Sequence, residues 1–327
     1  MGAGYLAQSF ERLGPDLKRP DLVEVTINPD GRVWTERQGQ RFMTEATQSL
    51  APREVADLAD QIASSAGATL GEARPVASVT VEWEGRRIRA QVVRPPVVAG
   101  GPAIALRFFP TLPLAEVALD WLHGEERKPE AERRRRRDGL AVAVARGRIE
   151  EAARLCVEGR LNVLVAGGTS TGKTVALRKL LSLVPAEERI VTIEEAAELA
   201  PEQPNVVTLL SDRAERARSA DALLTATLRL RPDRIVLGEV RGMEAMTFLE
   251  AINTGHGGSL TTLHAETPEL AIRRLAIAAL KSELPMTYDD MIRYIEGTID
   301  VIVQTGREGG RRGITEIHLP GTPVPVC

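Results

Sequence analysis

The amino-acid sequence predicts an α/β chain in which a helix-covered parallel sheet follows a smaller α+β domain. Its 327 residues exceed the roughly 250–300 that a single core holds, so two domains are expected. Its later part alternates solid apolar runs with helix-periodic stretches, the signature of buried parallel strands and crossover helices. Its beginning carries hairpin turns between alternating runs instead.

A short helix candidate opens the chain. Leu22 to Ile27 alternates as a strand and stops at Asn28-Pro29-Asp30-Gly31, a turn that returns Arg32 to Arg37 as its neighbour. Pro52 to Ala66 places apolar residues at helical spacing, with proline at the start where its missing N–H costs nothing. Val76 to Trp83 and Arg86 to Val93 flank Glu84-Gly85, a two-residue hairpin signal, and Ala103 to Phe108 adds a strand after the loop from Pro95 to Gly101. These form the expected N-terminal α+β domain, residues 1–110. Residues 111–138 read as a charged linker that ends in five consecutive arginines, Arg133 to Arg137. With no aromatic residue among them, they fit a solvated linker or helix face better than a nucleic-acid or anionic-lipid surface. In residues 139–327 the strands are Asn162–Ala166, Ile190–Ile193, Val206–Leu210, Arg234–Leu237 and Leu260–Leu263. The intervening helix candidates are Lys173–Leu183, Ala220–Arg229, Gly242–Thr254 and Pro268–Lys281.

Composition narrows the function. A net charge of −3 and an aromatic content of 3% exclude binding of nucleic acid through bulk positive charge or a base-stacking surface. Two cysteines, Cys156 and Cys327, cannot make a disulfide framework, which points to a reducing compartment. No apolar run approaches the ~20 residues that span a bilayer, and the N-terminus lacks the pattern of a signal peptide, so a cytosolic chain is expected. Lysine is scarce: Lys18, Lys128, Lys173, Lys179 and Lys281 stand against a Lys and Arg total of 42. A lysine inside a glycine-rich loop is therefore informative.

Such a loop follows the strand Asn162–Ala166. Gly167-Gly168-Thr169-Ser170-Thr171-Gly172-Lys173-Thr174 satisfies G-x-x-x-x-G-K-[ST], between a strand and a helix that continues from Val175. Glycines let backbone N–H groups turn in on a phosphate, Lys173 adds charge for the β and γ phosphates, and Thr174 offers a hydroxyl to Mg²⁺. ATP and Mg²⁺ are thus the expected ligands, with Gly167 to Val175 lining the nucleotide. The strand Arg234–Leu237 leads into Glu239, an acid at the carboxyl end of the sheet, where it orients and deprotonates the attacking water or holds Mg²⁺ through water. Ile190 to Ile193 ends in Glu194 and Glu195, a second acidic wall or simply the acidic start of a helix. His256 and His264 lie in Thr254-Gly-His-Gly-Gly-Ser-Leu-Thr-Thr-Leu-His-Ala, where an imidazole could sense the γ-phosphate, although each also reads as a structural histidine. No cysteine or third histidine stands at zinc-ligand spacing, and His123 and His318 read as surface residues. Arginines that could reach the phosphates are Arg107, Arg229, Arg231 and Arg241.

Taken in order, GGTSTGKT, TIEE, LRLRPDRIVLGEVRG and NTGHGGSLTTLHA resemble the Walker A, acidic box, Walker B and His box of the type II/type IV secretion and type IV pilus ATPases. VEVTINPDGRVW and RPPVVAGGPAIALRF resemble that superfamily's N-terminal domain. NTGHGGSLTTLHAETPELAIRRL and YIEGTIDVIVQTGREGGRRGITEI are most similar to the conjugal type IV secretion ATPases, the eleventh component of the VirB set. The chain lacks the paired-cysteine metal motif of the type II secretion and pilus-extension members. The resemblance implies a RecA-like P-loop motor domain behind an N-terminal domain, assembled as a homohexamer. It implies that Gly167 to Thr174 bind phosphates and Mg²⁺, Glu239 is the Walker B glutamate, Glu194 and Glu195 are the acidic box, and His256 and His264 are the His box. Arg107 matches the arginine that ends the corresponding N-terminal strand, which makes it the expected γ-phosphate contact from that domain. Glu195 replaces the aspartate of many relatives. A traffic ATPase is implied, powering type IV secretion, conjugal DNA and protein transfer or pilus assembly, peripheral to the cytoplasmic face of the inner membrane. Its implied partners are other secretion ATPases and inner-membrane channel components, without direct nucleic-acid binding. The alternatives are a tight-adherence, type IV pilus or type II secretion assembly ATPase, and a nucleotide-gated scaffold without motor-level hydrolysis.

Overall fold

The structure, a computed structural model, describes residues 2–109 and 129–321. Residues 111–128 of the expected linker, with His123, and the terminal Cys327 lie outside the described residues. Two compact units emerge. Among the described residues the first comprises 2–109, 185–197 and 203–233, and the second 129–184, 198–202 and 234–321.

In the first unit, β1 (Leu22–Ile27), β2 (Arg32–Arg37), β3 (Thr44–Ser49), β4 (Val76–Trp83), β5 (Arg86–Val93) and β6 (Ala103–Phe108) form an antiparallel sheet in the order β3-β2-β1-β6-β5-β4. The turns are those the sequence specifies. Gly31 has φ +83°, and a Cβ there would meet the Leu50 carbonyl oxygen at 1.9 Å, so only glycine fits. Glu84 and Gly85, with φ of 48° and 74°, make the left-handed pair that matches strand twist in a two-residue hairpin. Helices α1 (Gly2–Arg12) and α2 (Pro52–Ser65) pack on each other, and Phe10, Leu58, Ile62, Val25, Ile88 and Leu106 bury a shared core with the sheet. Each fully buried side chain of this size contributes about 1.5–3 kcal/mol. β3 was not expected from sequence; its TEATQS has one half-buried face and no apolar alternation strong enough to announce it.

The same unit contains the parallel pair β8 (Ile190–Glu194) and β9 (Val206–Leu210), followed by α6 (Ala220–Thr227). A buried polar cluster lies within it. Arg189, fully buried, donates from Nη1 to Asn28 Oδ1 at 2.7 Å and to Asn205 Oδ1, and from Nε to the Leu230 carbonyl at 2.9 Å. Arg231 Nε donates to Glu36 Oε2 at 2.6 Å, and its Nη1 pairs with Asp233. Burial pushes the Glu24 carboxyl up to about 7, against the opposing pull of Arg107, Arg231 and Arg189.

In the second unit the strands run in the order β13-β12-β7-β11-β10, for β7 (Val163–Gly167), β10 (Arg234–Leu237), β11 (Leu260–His264), β12 (Val301–Glu308) and β13 (Arg311–His318). All pairings are parallel except that of β12 with β13. Helices α5 (Lys173–Leu181), α7 (Glu244–Asn253), α8 (Pro268–Ala279) and α9 (Tyr288–Thr298) connect them, preceded by α3 (Pro129–Ala145) and α4 (Ile149–Glu158). Thr267 caps α8 from its side chain, and a Thr287/Asp290 capping box starts α9.

The arginine run belongs to α3, and its members divide by helical position. Arg133 Nε donates to the buried carboxylate of Asp300 at 2.7 Å, Arg136 Nη1 donates to the Gly159 carbonyl at 3.0 Å, and Arg137 donates to the Pro320 carbonyl. Arg134 and Arg135 are exposed. The run thus winds around α3, and three of its arginines fasten the helix to the rest of the second unit.

Candidate functional site

The strand order decides what meets the glycine-rich loop. β7 ends at Gly167, and the loop runs from there to Gly172, the left-handed residue that precedes α5 with φ +100°. Ser170 is also left-handed, at φ 59°, an uncommon conformation for a residue with a Cβ and of the kind that collects at functional loops. β11 and β12 lie on either side of β7, with His264 and Thr305 both in register with Gly167.

From the β12 side, Thr305 braces the loop. Its hydroxyl donates to the Ala166 carbonyl at 3.0 Å and lies 2.7 Å from the Thr171 hydroxyl, which in turn bonds the Gly168 carbonyl at 3.0 Å. The space these hydroxyls fill is the space a side chain at Gly167 would need: a Cβ there would stand 2.1 Å from Thr305 Oγ1.

From the β11 side comes the charge. Lys173 Nζ donates to the carbonyls of Gly168 at 2.8 Å and Gly167 at 3.2 Å, and lies 3.1 Å from His264 Nδ1. His264 Nε2 lies 3.2 Å from Glu239 Oε1, and the other oxygen of Glu239 pairs with Arg241. An ammonium has only protons to give, so Nδ1 accepts and the ring proton sits on Nε2, facing the carboxylate. Burial lowers the His264 pKa, and Lys173, Arg241 and Arg274 lower it further against the pull of Glu239. Burial likewise lowers the Lys173 pKa, opposed by Glu239 and assisted by Arg241.

Glu239 is held by its neighbours along the chain. Thr262 Oγ1 donates to the Gly238 carbonyl at 2.7 Å, and the Val240 N–H donates to the Thr262 carbonyl at 2.9 Å, so β11 grips the residues on both sides. Glu244 then accepts from the N–H groups of Arg241 at 2.6 Å and Gly242 at 2.7 Å, closing the turn before α7. The structure thus joins Lys173, His264 and Glu239 into one hydrogen-bonded chain at the mouth of the loop.

The other expected residues stand elsewhere. His256 Nδ1 lies 3.2 Å from the Ala251 carbonyl at the end of α7, outside that chain of contacts. Glu194 and Glu195 belong to the first unit: Glu194 is buried and accepts from Thr192 Oγ1 at 2.9 Å, whereas Glu195 is exposed and pairs with Arg213. Arg107, exposed near the end of β6, is in register with Glu24. Arg229 and Arg231 make their contacts within the first unit, to Ser78 and to Glu36 and Asp233. Of the four arginines considered, Arg241 is the one that pairs with Glu239. Sequence reasoning missed Thr305, Thr262 and Glu244. Only Glu244 had a local signal, an acid placed to cap the N–H groups ahead of a helix.

The loop tolerates the group it is expected to hold. Thr169 and Ser170 are exposed, Thr174 is half-buried on the first turn of α5, and Val175 is 71% exposed beside it. A hydroxyl on that turn and a strand-end carboxylate are the hard oxygen donors Mg²⁺ takes when phosphates and waters supply the rest.

This loop, lysine and strand-end glutamate on a parallel sheet define a P-loop ATPase. The type II/IV secretion system protein family matches residues 136–306. The conjugal transfer protein TrbB of Rhizobium radiobacter is 32% identical over 92% of this chain and 84% of its own length. The type IV secretion system protein PtlH of Bordetella pertussis is 32% identical over 97% and 96%, and VirB11 of Bartonella henselae 29% over 94% and 91%. The VirB11 ATPase crystal structure from the Brucella suis type IV secretion system, in complex with sulphate, superposes with a TM-score of 0.84 at 28% identity, covering 97% of this chain and 95% of that one. The chain belongs to the type II/IV secretion system protein family, with an N-terminal domain and a RecA-like motor domain.

Proposed function

We propose that this ATPase is the traffic ATPase of a type IV secretion or conjugal transfer machine, working as a homohexamer at the cytoplasmic face of the inner membrane with channel components as partners. The observation that carries the reading is the hydrogen-bonded chain Lys173–His264–Glu239 at the mouth of the P-loop. No described helix is long and apolar enough to cross a membrane, so the proposed membrane contact is peripheral. The functional division proposed is an N-terminal domain of residues 1–110, a connecting segment 111–138 and a motor domain 139–327.

In this reading, backbone N–H groups from Gly168 to Thr174 cradle the phosphates at the positive end of α5. Lys173 exchanges its bonds to the Gly167 and Gly168 carbonyls for phosphate oxygens, and Glu239 orients the attacking water and takes its proton. Thr174 and Glu239 are the residues that would hold Mg²⁺, Glu239 through water. When bound, that ion neutralises charge on the β and γ phosphates. His264 donates its Nε2–H to Glu239 and so links the lysine to the carboxylate. Arg107, Glu194, Glu195 and His256 keep the roles the resemblance gives them, as γ-phosphate contact, acidic box and His box.

The test is steady-state ATPase activity against protein concentration, with light scattering on each sample and Lys173→Ala and Glu239→Gln beside the natural sequence. Turnover per subunit should rise as a hexamer forms and vanish in both variants. Unchanged turnover in Glu239→Gln would refute the general-base assignment. Tight ATP binding without turnover at any concentration would refute the motor.

A further inference from the structure

The β12–β13 hairpin presents an arginine to the flank of the P-loop away from the catalytic residues. A Cβ at Gly172, the last residue before α5, would lie 3.9 Å from Arg312 Cβ. The approach is fixed by the hydrogen bonds of Thr305 to Ala166 and Thr171, on the strand that leads into this hairpin. It is tightened at Gly306, where a Cβ would stand 2.5 Å from Thr315 Cγ2. Arg312 is exposed, and among the described residues its side chain has no hydrogen-bond or ion-pair partner. Arg307 is its cross-strand neighbour and shares its face, whereas alternation puts Arg311 on the other.

The order β13-β12-β7-β11-β10 separates two ends of a bound nucleotide. Lys173, His264 and Glu239 gather on the β11 and β10 side, where the terminal phosphate must lie for Glu239 to reach its water. A nucleotide running along the loop therefore leaves toward β12 and β13, and the phosphate nearest the nucleoside comes to Arg312. The geometry points to Arg312 as a nucleotide-binding residue that contacts the α-phosphate end of ATP and ADP and takes no part in hydrolysis, an assignment that rests on the ATPase reading above. A guanidinium offers a planar pair of donors to phosphate oxygens, and the absence of a carboxylate partner leaves it available.

The experiment measures the Kd of fluorescent ADP and of a fluorescent non-hydrolysable ATP analogue, and kcat at saturating ATP. It uses the full chain and Arg312→Ala, Arg312→Lys, Arg311→Ala and Lys173→Ala, each with a thermal melt. Arg312→Ala should weaken both nucleotides by the same factor, about tenfold for a charge-assisted hydrogen bond, with kcat within about twofold and an unchanged melt. Arg312→Lys should recover part of the affinity, and Arg311→Ala should leave it unchanged. Equal affinity in Arg312→Ala and the natural sequence, weakening of the ATP analogue alone, or a fall in kcat at unchanged Kd would each overturn the assignment. If the natural chain binds neither nucleotide and Lys173→Ala changes nothing, the ATPase reading fails with it. Binding lost in Lys173→Ala but intact in Arg312→Ala leaves that reading standing and removes only Arg312.

Discussion

Asp300 makes the role of the arginine run measurable. Its side chain is 3% exposed and accepts from Arg133 Nε at 2.7 Å and from the Asn162 N–H at 2.9 Å. Breaking a fully buried pair costs about 3–5 kcal/mol, because a charge is left without a partner. Arg133 is 31% exposed, so water reaches the gap it would leave, and the Asn162 N–H still serves Asp300. Arg133→Ala should therefore cost nearer 2 kcal/mol, within the range for hydrogen bonds to charged groups. Asp300→Ala leaves the guanidinium with the Thr298 carbonyl at 3.3 Å and water, and strands the Asn162 N–H in the interior, for about 2–4 kcal/mol. With the double variant the cycle should show about 1–2 kcal/mol of coupling. Urea unfolding of the four proteins, followed by circular dichroism, measures it. As an internal control, Arg134→Ala and Arg135→Ala, at exposed positions of the same helix, should stay within about 0.5 kcal/mol of the natural sequence. A coupling near zero, or equal losses at Arg133 and Arg134, would refute the view that the run fastens α3.

Gly167→Ala should destabilise the chain by about 1–3 kcal/mol and weaken nucleotide binding, because the new Cβ meets Thr305 Oγ1 at 2.1 Å and the Thr305 carbonyl oxygen at 2.8 Å; adding Thr305→Ala should restore part of the melting temperature and none of the backbone clash. Glu24, held at about 7 against an ordinary 4.5, keeps its proton in the folded chain and loses it in the unfolded one between those values, so its contribution to stability falls as pH rises from 4.5 to 7 and stays low above. At about 1.4 kcal/mol per pH unit this amounts to at most about 3.5 kcal/mol, and Glu24→Gln should melt higher than the natural sequence at pH 8 with the gap closing toward pH 4.5. Burial pushes the Cys156 thiol up to about 12, so an alkylating reagent at pH 8 should label it only after unfolding, as mass spectrometry of native and denatured samples would show.

How much of this was legible in the sequence follows from how local each signal is. β1, β2, β4, β5 and β6 match their expected bounds because hairpin turns and alternation are written in neighbouring residues, as at Glu84-Gly85. The five strands expected after Gly139 agree to within a residue at each end, since solid apolar runs have few rivals. β3 escaped because an edge strand with mostly exposed side chains has no apolar pattern to display. The β12–β13 hairpin was visible only as part of a family resemblance. Its outer strand is exposed over six of eight residues, and its Gly309-Gly310 turn follows charged residues.

The site divides in the same way. Gly167 to Thr174 and Glu239 could be named because a phosphate loop and a strand-end acid each need a short contiguous pattern. What orients them is assembled from residues far apart in sequence and adjacent in the sheet. Thr305 reaches Thr171 across 134 positions, and Lys173 reaches His264 across 91. Neither threonine nor histidine is rare enough at those places to announce a partner, and only the order of the strands makes them neighbours of Gly167. The strand order also explains why His264, rather than His256, joins the lysine to the glutamate. One ends the strand beside the loop, whereas the other terminates a helix at the opposite end of that strand. Motif reading thus finds the loop and the strand-end acid. The groups that set their geometry come from the pairing of β7 with β11 and β12, which no single stretch of sequence encodes.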